Sequence, residues 1–92
     1  MIYRKNNNLV TRKIAGETII VPIRGELANM SRIFALSGIG EAIWDLLDGK
    51  RNFDDICDNI VKEYEATRDE IEADAREFME QLLKAGLITT AG

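Results

Sequence analysis

Apolar residues recur along this chain in two rhythms, a roughly alternating one before position 37 and a helical one after it. Within Leu9–Ile14 the alternation is imperfect, Ala15-Gly16 supplies a turn, and the β-branched run Thr18-Ile19-Ile20-Val21 lies in residues 17–23, so the two stretches predict a β-hairpin. Pro22 is the only proline and has no amide hydrogen to donate, which predicts that the second strand stops there or lies unpaired. Arg24-Gly25-Glu26 is turn-like, and Ile33, Phe34 and Leu36 suggest a third strand over residues 30–36. Residues 1–8 are polar, with three consecutive asparagines, and read as a loose arm; residues 9–92 read as one domain.

From Ser37 the apolar period becomes 3.6. Ile39, Ala42, Ile43, Leu46 and Leu47 share one face after a Ser37 cap, and Gly49 ends the helix. Asn52 caps a second helix in which Phe53, Ile56, Cys57, Ile60, Val61 and Tyr64 repeat the spacing, while Asp54, Asp55, Asp58, Lys62 and Glu63 form a wet face. Thr67-Arg68-Asp69-Glu70 has the form of a capping box and opens a third helix that runs to about Ala85. Gly86 would turn Leu87 back against Leu82 or Leu83, leaving a short extended tail. The predicted class is α+β: a three-stranded antiparallel sheet followed by a three-helix, winged-helix-like bundle.

Composition narrows the chemistry. The 92 residues are 46% hydrophobic, enough for one modest core, with neither a stretch of about 20 apolar residues that would span a bilayer nor a secretion signal at the start. A cytoplasmic protein is expected. There is no histidine and one cysteine, so a Ser-His-Asp or Cys-His catalytic set cannot be assembled and no zinc-type ligand set exists. No catalytic residue, metal ligand or cofactor is assigned. Cys57 lies on an apolar stripe and reads as a small buried hydrophobe. Asp54 and Asp58, one helical turn apart, are the spacing of a solvated acidic face as much as of a cation site. Gly38-Ile39-Gly40 lacks the third glycine of a dinucleotide turn, because position 43 is Ile43.

Charge is uneven. Residues 1–36 carry six basic and two acidic side chains, a net of +4; residues 37–92 carry six and fourteen, a net of −8, and the two sum to −4. An acidic helical half disfavours a phosphate backbone as partner. On the third helix, stepping 100 degrees per residue with Ile71 at zero, Ala75, Phe78, Leu82 and Ala85 cluster within about 40 degrees of Ile71 on either side, and Met79 and Leu83 extend the apolar arc out to about 120 degrees. Glu72 and Arg76 border that flank. Either a neighbouring element covers the extra width or it forms a groove for an apolar peptide. Trp44, about a third of a turn off the first helix's stripe, is expected to pack on the core, with its indole N–H reaching a carbonyl, ahead of serving a partner.

Phe34-Ala35-Leu36-Ser37, Gly40-Glu41-Ala42-Ile43-Trp44-Asp45-Leu46-Leu47-Asp48-Gly49, Phe53-Asp54-Asp55-Ile56, Tyr64, Asp74, Phe78, Leu82 and Gly86-Leu87-Ile88, taken as a set, resemble the PqqD-like family. These proteins are named for pyrroloquinoline quinone biosynthesis and belong to the wider group of recognition domains for ribosomally made, post-translationally modified peptides. The resemblance covers about residues 9–90. It implies a carrier that binds the leader segment of a precursor peptide and delivers it to a modifying enzyme, often a radical S-adenosylmethionine protein. It also implies that the leader adds as a strand to the edge of the third strand and lies beside the third helix. On this chain that edge is Ser31, Arg32, Ile33, Phe34 and Ala35, and the helical wall is Glu72, Arg76, Met79 and Leu83, with Arg32 and Arg76 placed to pair with acidic leader residues. Such a mode joins sequence-tolerant backbone pairing to side-chain pockets that select. Leu36-Ser37 stands where many relatives have Leu-Asn, and because both residues can cap a helix the implied fold is unchanged; residues 27–30 lack the Gly-x-Tyr pattern common in relatives, and the partner peptide implied can therefore differ from the quinone precursor.

Two alternatives use the same elements. A winged-helix DNA-binding domain expects a basic recognition helix, whereas residues 67–84 hold six acidic and three basic side chains. A dimerisation module would pair the strand edge with a second copy of the chain.

Overall fold

The computed structural model describes residues 2–23 and 33–91. Strand β1 spans Ile2–Lys5, β2 Leu9–Ile14, β3 Glu17–Pro22 and β4 Phe34–Leu36; helices α1 (Gly38–Leu46), α2 (Phe53–Glu63) and α3 (Arg68–Lys84) follow, and β5 (Ile88–Ala91) closes the chain. The hairpin forms as the alternation implies. Leu9 faces Pro22 and Ile14 faces Glu17 in an antiparallel register, and β3 ends on the proline. Its two-residue turn places both Ala15 (φ 51°) and Gly16 (φ 81°) in the left-handed region, the geometry whose twist matches that of the flanking strands. β4 pairs with β3, Ile20 opposite Phe34 and Thr18 opposite Leu36, giving the sheet order β2-β3-β4. The third strand expected over 30–36 is seen as Phe34–Leu36; its earlier part and the turn at 24–26 lie outside the described residues.

The stretch read as a loose arm is instead ordered. β1 pairs antiparallel with β5 across the whole chain length, Ile2 with Ala91 and Lys5 with Ile88, and makes a two-stranded sheet of its own. Asn6 completes the clasp, donating its backbone N–H to the Leu87 carbonyl at 2.9 Å and its side-chain amide to the Gly86 carbonyl at 3.0 Å. Pairing between residues more than eighty positions apart leaves no local signature, and the polar composition of the arm conceals it.

The caps explain where the helices begin and stop. Asn52 and Asp55 form a reciprocal capping box, the Asn52 side chain accepting from the Asp55 amide at 2.8 Å and the Asp55 carboxylate from the Asn52 amide at 3.3 Å. Thr67 accepts from the Glu70 amide at 3.2 Å. Ser37 occupies the N-cap position of α1 without a side-chain cap bond, so it ends the strand without stabilising the helix as the sequence suggests. At the end of α3, Gly86 (φ 76°) lets the Gly86 amide reach the Leu83 carbonyl and the Leu87 amide reach that of Leu82, a Schellman closure that folds Leu87 back onto the helix.

Sheet and helices share one core of Ile20, Ile43, Trp44, Leu47, Ile56, Cys57, Ile60, Ile71, Ala75, Met79, Leu82, Leu87 and Ile88. Trp44 is buried as expected, but its indole nitrogen meets no hydrogen-bond partner among the described residues. Thr18, also fully buried, donates its hydroxyl to Glu41 at 2.6 Å, and Lys13 bridges Asp45 at 2.6 Å, so the hairpin is pinned to α1 by polar contacts as well as by apolar ones. Among the described residues no helix is long and apolar enough to cross a membrane.

Candidate functional site

An open groove of roughly 430 Å³ runs between β4 and the second half of α3. Phe34 and Leu36 supply the strand side, Phe78, Leu82 and Ala85 the helix side, Leu87 the closed end, and Gln81 and Lys84 the polar rim. Each wall residue is put there by a local feature already described. Leu36 and Phe34 lie two apart on a strand and so face the same side of the sheet. Phe78, Leu82 and Ala85 follow at four and three positions, one stripe of the helix. Leu87 joins them because the Gly86 turn reverses the chain. Gly40 of α1 backs the Phe78 ring: a Cβ there would stand 3.4 Å from it, so the absence of a side chain lets α1 approach and brace the ring from behind. Leu82 (4% exposed) and Leu87 (1%) form a buried floor, whereas Phe34, Leu36, Phe78 and Ala85 are only partly buried and keep apolar surface open. Along the strand side, β4 is the last strand in the order β2-β3-β4 among the described residues, and next to it Ile33 is 68% exposed. The groove thus couples a sheet border to a row of apolar sockets.

The sequence matches the family described as Coenzyme PQQ synthesis protein D (PqqD) over residues 17–88. The chain belongs to the PqqD family. A relative named PqqA binding protein, from Rhizobium meliloti (strain 1021), is 35% identical over 63 residues, 66% of this chain and 64% of the relative's own length. The solved structure of TbiB1 in complex with the TbiA(beta) leader peptide matches at TM-score 0.81 and 25% identity, covering 97% of this chain and 98% of that one. Lasso peptide synthetase B1 complexed with the leader peptide matches at TM-score 0.82 and 14% identity over 98% and 100% of the two chains, which shows a shared fold.

In this PqqD-family chain the residues expected to form the site divide. Phe34 lies on the groove wall, and Ile33 and Ala35 flank it as exposed positions at the sheet border. Ser31 and Arg32 lie outside the described residues. The helical wall needs correction, because Met79 is 2% exposed and belongs to the core. Leu83 packs partly buried against the same core, and neither it nor Met79 lines the groove. Glu72 and Arg76 sit on the flank turned toward α2. There Arg76 bonds Glu72 at 3.0 Å and its guanidinium stacks 4.8 Å from the Phe53 ring centre. That flank is further tied down by Arg68, which bridges Asp58 and, at 3.1 Å, Asp54. Asp54 and Asp58 therefore answer a guanidinium, and among the described residues no acidic, histidine or cysteine cluster is arranged to hold a metal. The cation actually beside the groove is Lys84.

Phe78, Leu82 and Ala85 lie toward one edge of the apolar arc that the sequence displays, while Met79 and Leu83, which widen that arc, pack into or against the core. Leu36, Gln81, Lys84 and Leu87 carry no separate sequence signal as wall residues. Cys57 is a buried hydrophobe whose thiol is pushed above its ordinary value by desolvation, which keeps it protonated and unreactive.

Proposed function

We propose that this protein is a non-catalytic adaptor that binds the leader segment of a precursor peptide and presents it to a modifying enzyme of the radical S-adenosylmethionine type. The leader adds as a strand along β4, with Ile33 and Ala35 at that border; the expected contacts of Ser31 and Arg32 fall outside the described residues. Its alternate side chains enter the groove against Leu36, Phe78, Leu82 and Ala85, and Lys84 meets an acidic residue at the rim. The observation that carries this reading is the juxtaposition of β4, last in the sheet order among the described residues, with a half-open apolar groove whose floor is buried. Supporting it are the family, the relative named for binding PqqA, and the neighbour solved with a leader peptide. The absence of histidine and the burial of Cys57 leave the adaptor without the usual proton-transfer and thiol nucleophile groups.

Titration of isotope-labelled protein with candidate leader peptides tests it. Amide shifts are expected at residues 33–36 and 78–87; shifts confined to β1, β5 or α2 overturn the reading. A second copy of the chain competes for the same border, and sedimentation with and without peptide separates the two occupants.

A further inference from the structure

A second concavity lies where β1 meets the connection between α1 and α2, walled by Arg4, Lys5, Asn7, Asp48, Gly49 and Lys50 and open over roughly 420 Å³. Its cations are held in place by local structure. Arg4 lies across Gly49, where a Cβ would stand 3.2 Å from the Arg4 Cγ and where φ is 78°, so only glycine suits both the turn and the overlying side chain. Lys5 places its ammonium 5.0 Å from the centre of the Trp44 ring. Lys50 is exposed at the rim. The carboxylate among them is already engaged: Asp48 accepts from the backbone amides of Lys50 and Arg51 at 2.9 and 3.0 Å and from the Arg51 guanidinium at 2.8 Å. Among the described residues Arg4, Lys5 and Lys50 enter no salt bridge. Three cations without ion-pair partners there, on a molecule of net charge −4, form a local field opposite in sign to the whole.

We propose that this pocket docks an acidic segment of a protein partner, on a surface separate from the peptide groove. Burial pushes the Lys5 ammonium below its ordinary pKa, a desolvation that a neighbouring anion would offset. Carboxylates spaced along a chain suit the site better than a compact phosphate dianion. The C-terminal carbonyls of α1, which ends at Leu46, add partial negative charge nearby, and this repels a dianion more strongly than a singly charged carboxylate. Asn7 contributes an amide to the same rim.

Titration of the full isotope-labelled chain with a hexaglutamate peptide, and separately with inorganic phosphate, tests the assignment. Hexaglutamate is expected to shift the amides of residues 4–7 and 48–50 saturably, with affinity falling several-fold as salt is raised. Lys50→Glu, at an exposed position, and Arg4→Gln are each expected to weaken that response several-fold while the thermal melt stays in place. No saturable response, a response unaffected by both variants, or phosphate binding as tightly at the same amides overturns the proposal. Leader titration of Lys50→Glu must still shift residues 33–36 and 78–87 as in the parent; loss of those shifts would make the pocket part of the leader site and also overturn it. Failure of the leader to bind the parent protein would instead defeat the adaptor reading and leave the acidic-segment assay unaffected.

Discussion

Helix α3 presents two flanks on either side of its buried stripe of Ile71, Ala75, Met79 and Leu82. Toward α2, Arg68 and Arg76 are spent on Asp54, Asp58, Glu72 and the Phe53 ring, so charge and aromatic contacts there lock helix to helix. Toward β4, Phe78, Leu82 and Ala85 meet a three-residue strand across an open groove. Among the described residues the strand facing this flank is three residues long and leaves a groove beside the helix, whereas the eleven residues of α2 pack along the other flank. The two edges of one apolar arc thus meet different neighbours, a helix on one side and, among the described residues, an open groove on the other.

Truncation of the shared stripe should have the largest effect. Met79→Ala is expected to destabilise the fold by about 2–5 kcal/mol in urea unfolding, as a buried side chain replaced by a cavity does, with leader affinity unchanged for the folded fraction. A Met79 variant that keeps full stability but loses leader would show that the core side chain reaches the groove after all. Phe78→Ala is expected to weaken leader binding by about 10- to 100-fold in calorimetry, the range for an apolar anchor at the centre of a contact. Arg76→Ala, on the opposite flank, is expected to change leader affinity by less than about twofold, since its partners lie within the protein. If Arg76 proved the more sensitive, the two flanks would have to exchange roles.

Smaller effects sharpen the same contrast. Arg68→Gln should lower the melting temperature slightly at low salt and not at high salt, because its partners are solvent-exposed carboxylates. Asp48, remote from both flanks, is the control. Its carboxyl is held below its ordinary pKa by the Lys50 and Arg51 amides, so its contribution is present above the unfolded value near 4 and disappears as pH falls through the lower folded value. The melting-temperature gap between Asp48→Asn and the parent should therefore exist at neutral pH and close in acid.

Features governed by neighbours along the chain are legible in the amino-acid sequence alone. The hairpin and its Ala15-Gly16 turn, the end of β3 at Pro22, the Asn52 cap and the Gly86 reversal each depend on residues within a few positions of one another. So does the grouping of Phe78, Leu82 and Ala85 on one stripe. Two matters are decided by packing alone. An apolar arc states which residues of a helix point together but not which neighbour each edge will meet, so it is compatible with a wall at Glu72, Arg76, Met79 and Leu83, whereas the sheet lies on the other edge. The union of β1 with β5 likewise needs the whole chain to bring its ends together, and a polar strand of four residues acquires its conformation only once that partner exists.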